Sequence, residues 1–533
     1  MKASFSPNPD QSQTSARPAY PLRGAPGART GTGGRRAGAG RLRRSTPLWA
    51  ILAAQAALTL PWLWASAPFT DEALYIEAGH AEWAHWLHQA AVPAFPGWFS
   101  GAPVAYPPLA AAADSAGGLP GARALSLVIM LATTILVYLT GVRIVGRLAG
   151  LFAALLFAVT GLVVHYGALA TFGPLSLFLL VLSAWAAARV RDGGFGWLPA
   201  CALALVAANV TKYATLAWDP VVFGIIALHC WGQGKRLAIG RAASVAATVV
   251  VADFGLLMLG GRDYAQGVVV TTVFRSVSWT SPSSPASVML RALVMTGALL
   301  LLALAGIAVS IAARQPPAST LVLCLLLLAG LLAPIDQARI YQLTSLDKNI
   351  GYGLPFAAIG AGYGLAAGTQ WLARRRWWGR RAAAAALVAV TMGVLLPGTF
   401  QQVQFRGSDL AQTARMVSAI DRSHRPGTYI VSDGAGRVEQ YYLPAVPAHW
   451  WIGIFRPSPR QQQEISDAIS CGRVSVAVLR TAGARYAHAY DATVLHMLRR
   501  SASLRLAARF GHPGSRTEVW TATPLAPQSR GCG

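Results

Sequence analysis

What most limits the fold of this chain is a succession of apolar runs, each near the length of a bilayer crossing, separated by short segments that carry arginine. A helix rises about 1.5 Å per residue, so about 20 apolar residues cross a hydrocarbon layer, and lipid tolerates no unpaired backbone. Such runs specify a polytopic α-helical membrane protein. The first extends from Pro47 to Ala65, and others occupy 122–142, 148–166, 174–189, 196–211, 215–232, 242–260, 288–312, 318–335, 350–372 and 382–398. The expectation is about eleven spans. With 54% hydrophobic and 12% charged residues, the chain is too apolar for an ordinary soluble protein.

The formal charge of +25 could suggest nucleic acid, but the positions of the cations give a different account. Arg35, Arg36, Arg41, Arg43 and Arg44 precede the first span, and Arg143 with Arg147, Arg189 with Arg191, Lys235 to Arg241, Arg314 and Arg374 to Arg381 fall in alternate loops. By the positive-inside rule these loops and the N-terminus are cytoplasmic, in a multi-pass plasma-membrane protein. Residues 1–45, rich in Pro, Gly and Arg, read as a disordered cytoplasmic tail. Residues 46–400 read as the transmembrane domain, with a first exterior loop over 66–121 that is too long for a mere connector.

An odd number of spans puts residues 401–533 outside. There, 428–432 and 474–479 read as strands and 410–420 and 487–498 as helices, which makes a small extracytoplasmic α/β domain. Cys471 and Cys532 would share an oxidising compartment and are expected to pair, whereas Cys201, Cys230 and Cys324 fall in spans.

Just beyond the first span lies Pro68-Phe69-Thr70-Asp71-Glu72-Ala73-Leu74-Tyr75. Ionised carboxylates are costly inside lipid, so this pair marks a membrane face. Thr70 is suited to cap a helix, with Asp71 and Glu72 in its first turn, where the helix dipole favours negative charge. Tyr75, His80, Trp83, Trp86 and Leu87 would give that helix an aromatic side for the interface. A plain helix start with an interfacial anchor accounts for these residues equally well.

The order of features resembles the C-fold (GT-C) glycosyltransferases: a cytoplasmic N-terminus, a first span, Asp71-Glu72, Tyr106-Pro107-Pro108, Ala122-Arg123 opening the second span, and Thr211-Lys212-Tyr213. The nearest likeness is to the protein O-mannosyltransferase and aminoarabinose transferase group, in its actinobacterial branch. The likeness covers most of 46–400, and the tail with Tyr441-Tyr442-Leu443 shares it.

The resemblance implies transfer of a sugar from a polyprenyl-phosphate donor to a cell-envelope acceptor, a glycan, lipid or protein hydroxyl, on the outer face. It makes Asp71 the catalytic candidate, with Glu72 its neighbour. Such a transfer needs a base for the acceptor proton and cations for the departing phosphate. Lys212, Lys348 and Arg123 are the candidates for that phosphate, and Tyr75, His80, Tyr106, His165 and Asp347 are candidates for the substrate pocket.

Two positions depart from the group's pattern. Gly173 stands where an Asp is expected after His165-Tyr166, and Asp347 stands where a His is expected before Lys348. The first departure weakens any metal site built on a second carboxylate. His80, His85, His88 and Glu82 lack the spacing of a zincin, and no G-x-x-x-x-G-K-[ST] loop occurs. No metal is expected to be obligatory, a divalent ion being the less favoured alternative, and ATP-driven transport is argued against.

Two competing functions stay open. A secondary transporter would use Asp219 and Asp253, the acidic residues inside spans, and a catalytically inactive relative would accommodate the departures at Gly173 and Asp347.

Overall fold

The computed structural model describes residues 36–523 other than 94, 98, 194, 195, 273–282, 344, 375–378, 405–409, 434, 435, 455–457, 483–488, 513 and 514. Most of the expected tail and Cys532 lie outside the described residues. The chain divides into two units, Met1–Thr46 and Pro47–Gly533. Within the first, the described residues open helix α1 (Arg36–Thr59).

Helix α2 (Thr70–His88) follows. Thr70 is its first residue rather than its cap: Phe69 holds the cap position, and its N–H is taken by the Glu72 carboxylate at 2.8 Å. Glu72 reaching back supplies the N3 half of a capping box, pairing the N–H of the cap residue itself.

Helix α3 (Pro107–Val145) is 39 residues long, about twice a bilayer crossing. It is broken at Gly117 and Gly118, the latter at φ 61°, ψ −162°, a conformation that side chains disfavour. The break separates a short first segment from the span, and Pro120 then stands at the start of the second segment, where it costs no hydrogen bond.

Helices α4 (Arg147–Ala158) and α5 (Gly161–Gly167) correspond to the single run expected at 148–166, and they meet at 67°. At Thr160 the backbone turns extended, so the ladder cannot continue through it. Next come α6 (Phe172–Arg189), α7 (Trp197–Thr211), α8 (Asp219–His229), α9 (Lys235–Leu259), α10 (Gly261–Thr272), α11 (Pro285–Ala312), α12 (Pro317–Arg339), α13 (Leu346–Arg374) and α14 (Arg380–Gln404). Among the described residues, seven helices are long and apolar enough to cross a membrane, or eight if α4 with α5 makes one crossing. Three further apolar helices are shorter.

Helix α13 is the central one, and 89% of its apolar window is buried. Lipid offers no hydrophobic drive between helices, so close packing of small residues substitutes for it. At Gly362 an added Cβ would lie 2.6 Å from the backbone of Ala153 on α4, a contact that only glycine permits.

The C-terminal residues add α15 (Leu410–Ser423), β1 (Tyr429–Ser432), α16 (Gly436–Tyr442), β2 (Trp451–Gly453), α17 (Pro459–Ser470), β3 (Val474–Ala482), α18 (Ala489–Arg500), β4 (Leu504–His512) and β5 (Ser515–Ala522). The strands form one sheet in the order β2-β1-β3-β5-β4, with β1 parallel to β2 and β3, and β5 antiparallel to β3 and β4. Alternate residues face opposite sides. Val431, Ala477 and Leu479 pack with Ile465 and Ile469 of α17 and Val494 and Leu498 of α18. Ile430, Val476 and Val478 pack with Ile420 of α15 and with Leu443 and Val446. Covering on both faces explains why these strands read as continuous apolar runs.

Candidate active site

The two adjacent carboxylates on α2 have opposite surroundings. Successive helical residues point about 100° apart, so Glu72 and Asp71 cannot share one environment. Glu72 faces inward, and its side chain and that of Arg123 on α3 are both 0% exposed. Arg123 Nε donates to Glu72 Oε1 at 2.9 Å and Nη2 to Oε2 at 2.8 Å. The remaining guanidinium donors go to the carbonyls of Leu63, Ser66 and Ala67. Glu72 also accepts the N–H of Ala170 at 2.8 Å, just before α6. Arg123 therefore binds the turn after α1 and the start of α2 to the second span, as a fully bonded charge pair with no donor aimed at a ligand.

Asp71 faces the rim, with its side chain 30% exposed, and Lys348 of α13 places its ammonium on Asp71 Oδ2. The Lys348 Nζ also lies 4.7 Å from the centre of the Phe69 ring, whose face attracts a cation. Tyr166, on α5, holds the lysine's backbone: its hydroxyl donates to the Lys348 carbonyl. The Tyr166 ring lies against Gly173 and Gly351, where a Cβ at Gly173 would sit 3.3 Å from it. Position 173 is thus filled by the neighbouring ring, a packing reason for glycine where a carboxylate was expected.

Below Asp71 is an aromatic cluster. Tyr75, one turn along the same face of α2, packs against Phe172 at 4.4 Å and Phe99 at 5.3 Å between ring centres, and Tyr106 stands 5.9 Å from Phe172. Burial pushes both tyrosine hydroxyls well above the ordinary phenol range, and the Asp71 charge adds to the effect on Tyr75. Tyr106 is wholly buried, with its hydroxyl 3.2 Å from Ser126 Oγ, so it belongs to the wall of the site.

The other sequence candidates are spread around this centre. Asp347 is buried and accepts the Lys348 N–H at 3.0 Å, and His165 is buried on α5. His80 is half-exposed on α2 and bonds Asp114 at 3.1 Å. Lys212 is buried on the turn after α7. Residues 100–102 strap that turn through Tyr213 N–H to Ser100 O, 3.0 Å, and Ala102 N–H to Val210 O, 2.9 Å. Within the spans, Asn209 Nδ2 donates to both Asp219 Oδ2 at 3.0 Å and Asp253 Oδ2 at 2.9 Å, stitching α7, α8 and α9 together. Cys471 is disulfide-bonded, while Cys201, Cys230 and Cys324 are free. Among the described residues, no three His, Cys, Asp or Glu side chains converge as a metal site.

Sequence reasoning missed one set of contacts, although it had named Tyr441. Arg437 of α16 donates to both oxygens of Glu77 on α2 at 2.8 Å, and Tyr441 donates to Asp114 on α3 at 2.6 Å. The signals in the sequence were Glu77, a third carboxylate on α2, and Tyr441 in the Tyr441-Tyr442-Leu443 run of the tail.

Comparisons with known proteins bear on the fold. No family model and no curated protein matches the sequence. Solved structures do match. ArnT from Cupriavidus metallidurans bound to undecaprenyl phosphate is 16% identical with TM-score 0.62, over 91% of this chain and 99% of that one. The archaeal oligosaccharyltransferase AglB from Archaeoglobus fulgidus, in complex with an inhibitory peptide and a dolichol-phosphate, is 13% identical with TM-score 0.57, over 82% and 69%. The arabinofuranosyltransferase AftD from Mycobacteria is 16% identical with TM-score 0.53, over 90% of this chain but 40% of its own length. The chain therefore shares the fold of these three proteins.

Proposed function

We propose that this protein is a membrane glycosyltransferase that moves a sugar from a polyprenyl-phosphate donor to a hydroxyl of an envelope acceptor on the extracytoplasmic face. The observation that carries the reading is the ion pair between Asp71 and Lys348 at the rim of the first exterior helix of a GT-C fold. A base and a phosphate-binding cation are the two groups such a transfer requires, and here they sit on each other.

In the resting protein the Lys348 ammonium neutralises Asp71. The donor's phosphate competes for that ammonium and frees the carboxylate. The acceptor oxygen then attacks the anomeric carbon, its proton passes to Asp71, and the bond from that carbon to the phosphate oxygen breaks. The departing polyprenyl phosphate keeps the electron pair and is held by Lys348. Glu72 and Arg123 fix the turn that aims Asp71, and Lys212 is a second cation for the carrier. In this reading Lys348 supplies the positive charge, and a metal is not obligatory.

The same reading puts the N-terminus in the cytoplasm and the C-terminal domain outside, in the plasma membrane. Counting α4 with α5 and the three shorter apolar helices as crossings brings the number to eleven. The likeness in fold to ArnT bound to undecaprenyl phosphate and to AglB in complex with a dolichol-phosphate supports a lipid-phosphate donor. The mannosyltransferase-like, actinobacterial affinity stays part of the proposal. The test is incubation of purified protein with radiolabelled polyprenyl-phosphate sugars and membrane acceptors. Label transferred to acceptor is the expected result, and none across a panel of sugars would overturn the reading.

A further inference from the structure

Among the described residues, the C-terminal domain meets the membrane domain at the short helix α16, and that contact falls on the helix bearing the proposed base. Arg437, Gln440 and Tyr441 occupy one face of α16, at the three- and four-residue spacing of helical neighbours. Arg437 Nη1 grips both oxygens of Glu77, and Gln440 supports it, accepting from Arg437 at 3.1 Å and donating to Glu77 at 3.4 Å. Tyr441 donates to Asp114, which His80 of α2 also binds, so one carboxylate on the first segment of α3 ties α3 to both α2 and α16. The Tyr441 ring packs against the cluster that holds Tyr75, Tyr106 and Phe172.

We infer that α16 is a positioning element of the transfer site: Arg437 and Tyr441, through Glu77 and Asp114, set the pitch of α2 and with it the place of Asp71. The proposal rests on the reading of Asp71 as the base. Glu77 lies six residues beyond Asp71, about 9 Å along the helix axis, so a rotation allowed at one is delivered to the other. Both ion pairs on α2 are partly exposed, but Arg437 holds both oxygens of Glu77 and is supported by Gln440, while Tyr441 holds Asp114, so α16 grips at several points where Lys348 bonds one oxygen of Asp71. Transfer depends on reacting atoms held in register, where a misplacement of about 1 Å can lower the rate about 100-fold. The C-terminal domain is on this account part of the catalytic machinery although none of its residues touches the reacting atoms.

Two readouts on the full-length protein test this. Spin labels at His88→Cys, on the exposed end of α2, and Leu301→Cys, on the exposed face of α11, report how firmly α2 is held, in a Cys324→Ala background because that thiol is exposed. The expected result is a narrow distance distribution in the parent that broadens in Arg437→Ala and narrows again in the exchanged pair Glu77→Arg with Arg437→Glu. In the transfer assay, Arg437→Ala and Tyr441→Phe should lower kcat about 10- to 100-fold with donor affinity little changed, and Arg437→Lys should recover part of the loss. An unaltered distribution in Arg437→Ala, or an equal fall in donor affinity and rate, overturns the proposal. If the parent transfers no sugar while the distribution broadens as stated, α16 still holds α2 and the glycosyltransferase reading is what fails.

Discussion

Lys348 closes on Asp71 from 277 residues further along the chain, placing an ammonium from the central helix α13 on the first turn of α2. Neither residue is fully buried, so each remains reachable by a ligand that offers the other a better partner.

The first prediction separates their roles. Asp71→Asn keeps the shape and removes the base, so turnover should fall about 10²- to 10⁴-fold. Donor affinity should hold or improve, because the ammonium is released. Lys348→Ala should weaken donor binding about 10- to 100-fold, the value of a hydrogen bond to a charged group. Donor titration and single-turnover rates measure the two effects separately. Normal turnover by Asp71→Asn would remove Asp71 from the chemistry.

The second concerns Glu72 and Arg123. Removing one member of a buried pair leaves an uncompensated charge, at a cost of about 3–5 kcal/mol. Glu72→Gln should therefore lower the melting temperature sharply in detergent. A double Glu72→Gln, Arg123→Met variant should recover only part, because the carbonyls of Leu63, Ser66 and Ala67 then lose their donor. Full recovery would mean that those three bonds contribute nothing.

The third is a pH dependence in the C-terminal domain. Burial of Glu439, with Asp433 nearby, pushes its carboxyl up to about 8 from 4.5. The folded state then holds a proton that the unfolded chain releases, so the associated stability is complete below about 4.5 and is lost as pH rises through about 8. Glu439→Gln should flatten this slope and raise the melting temperature above pH 8, with little effect at pH 4. Parallel curves for parent and variant across that range would show that Glu439 is not the titrating group.

The fourth tests orientation. A cysteine at Glu464, on the exposed face of α17, should react with an impermeant maleimide in intact cells. Labelling seen only after lysis would reverse the proposed topology. The same preparation, digested unreduced and analysed by mass spectrometry, should yield a Cys471 peptide linked to Cys532, a pairing worth on the order of 4–5 kcal/mol by loop closure.

The fifth concerns metal. Prolonged chelation should leave transfer unchanged, since Lys348 carries the positive charge in the proposed reaction. Loss of activity restored by a divalent ion would assign that role to the ion.

Much of this architecture can be read from the residues alone, because lipid imposes a hard rule on backbone polarity. The runs at 288–312, 318–335 and 350–372 fall within α11, α12 and α13, and the strands at 428–432 and 474–479 coincide with β1 and β3 to within a few residues. The bend between α4 and α5 was invisible, since an apolar run looks the same whether or not one residue turns extended. The acidic pair stands out in the sequence as a break after the first apolar run, but the opposite surroundings of its two members do not. Which of Asp71 and Glu72 faces inward depends on where Arg123 and Ala170 arrive, and no local pattern encodes that. The grip of Arg437 on Glu77 was hidden for the same reason, as its partners lie 360 residues apart.

The bonds to Glu72 also set an order of construction. Its partners Arg123 and Ala170 are made 51 and 98 residues later, so in the proposed topology the carboxylate crosses the membrane before Arg123 can neutralise it. Water or lipid headgroups must solvate it while the next spans are threaded. In that topology the bonds around Glu72 are complete only when the connection ahead of α6 has crossed. A nascent chain stalled before Arg123 is in place would carry an open first loop with an uncompensated carboxylate, and one stalled later would have the charge paired but the Ala170 bond still unmade.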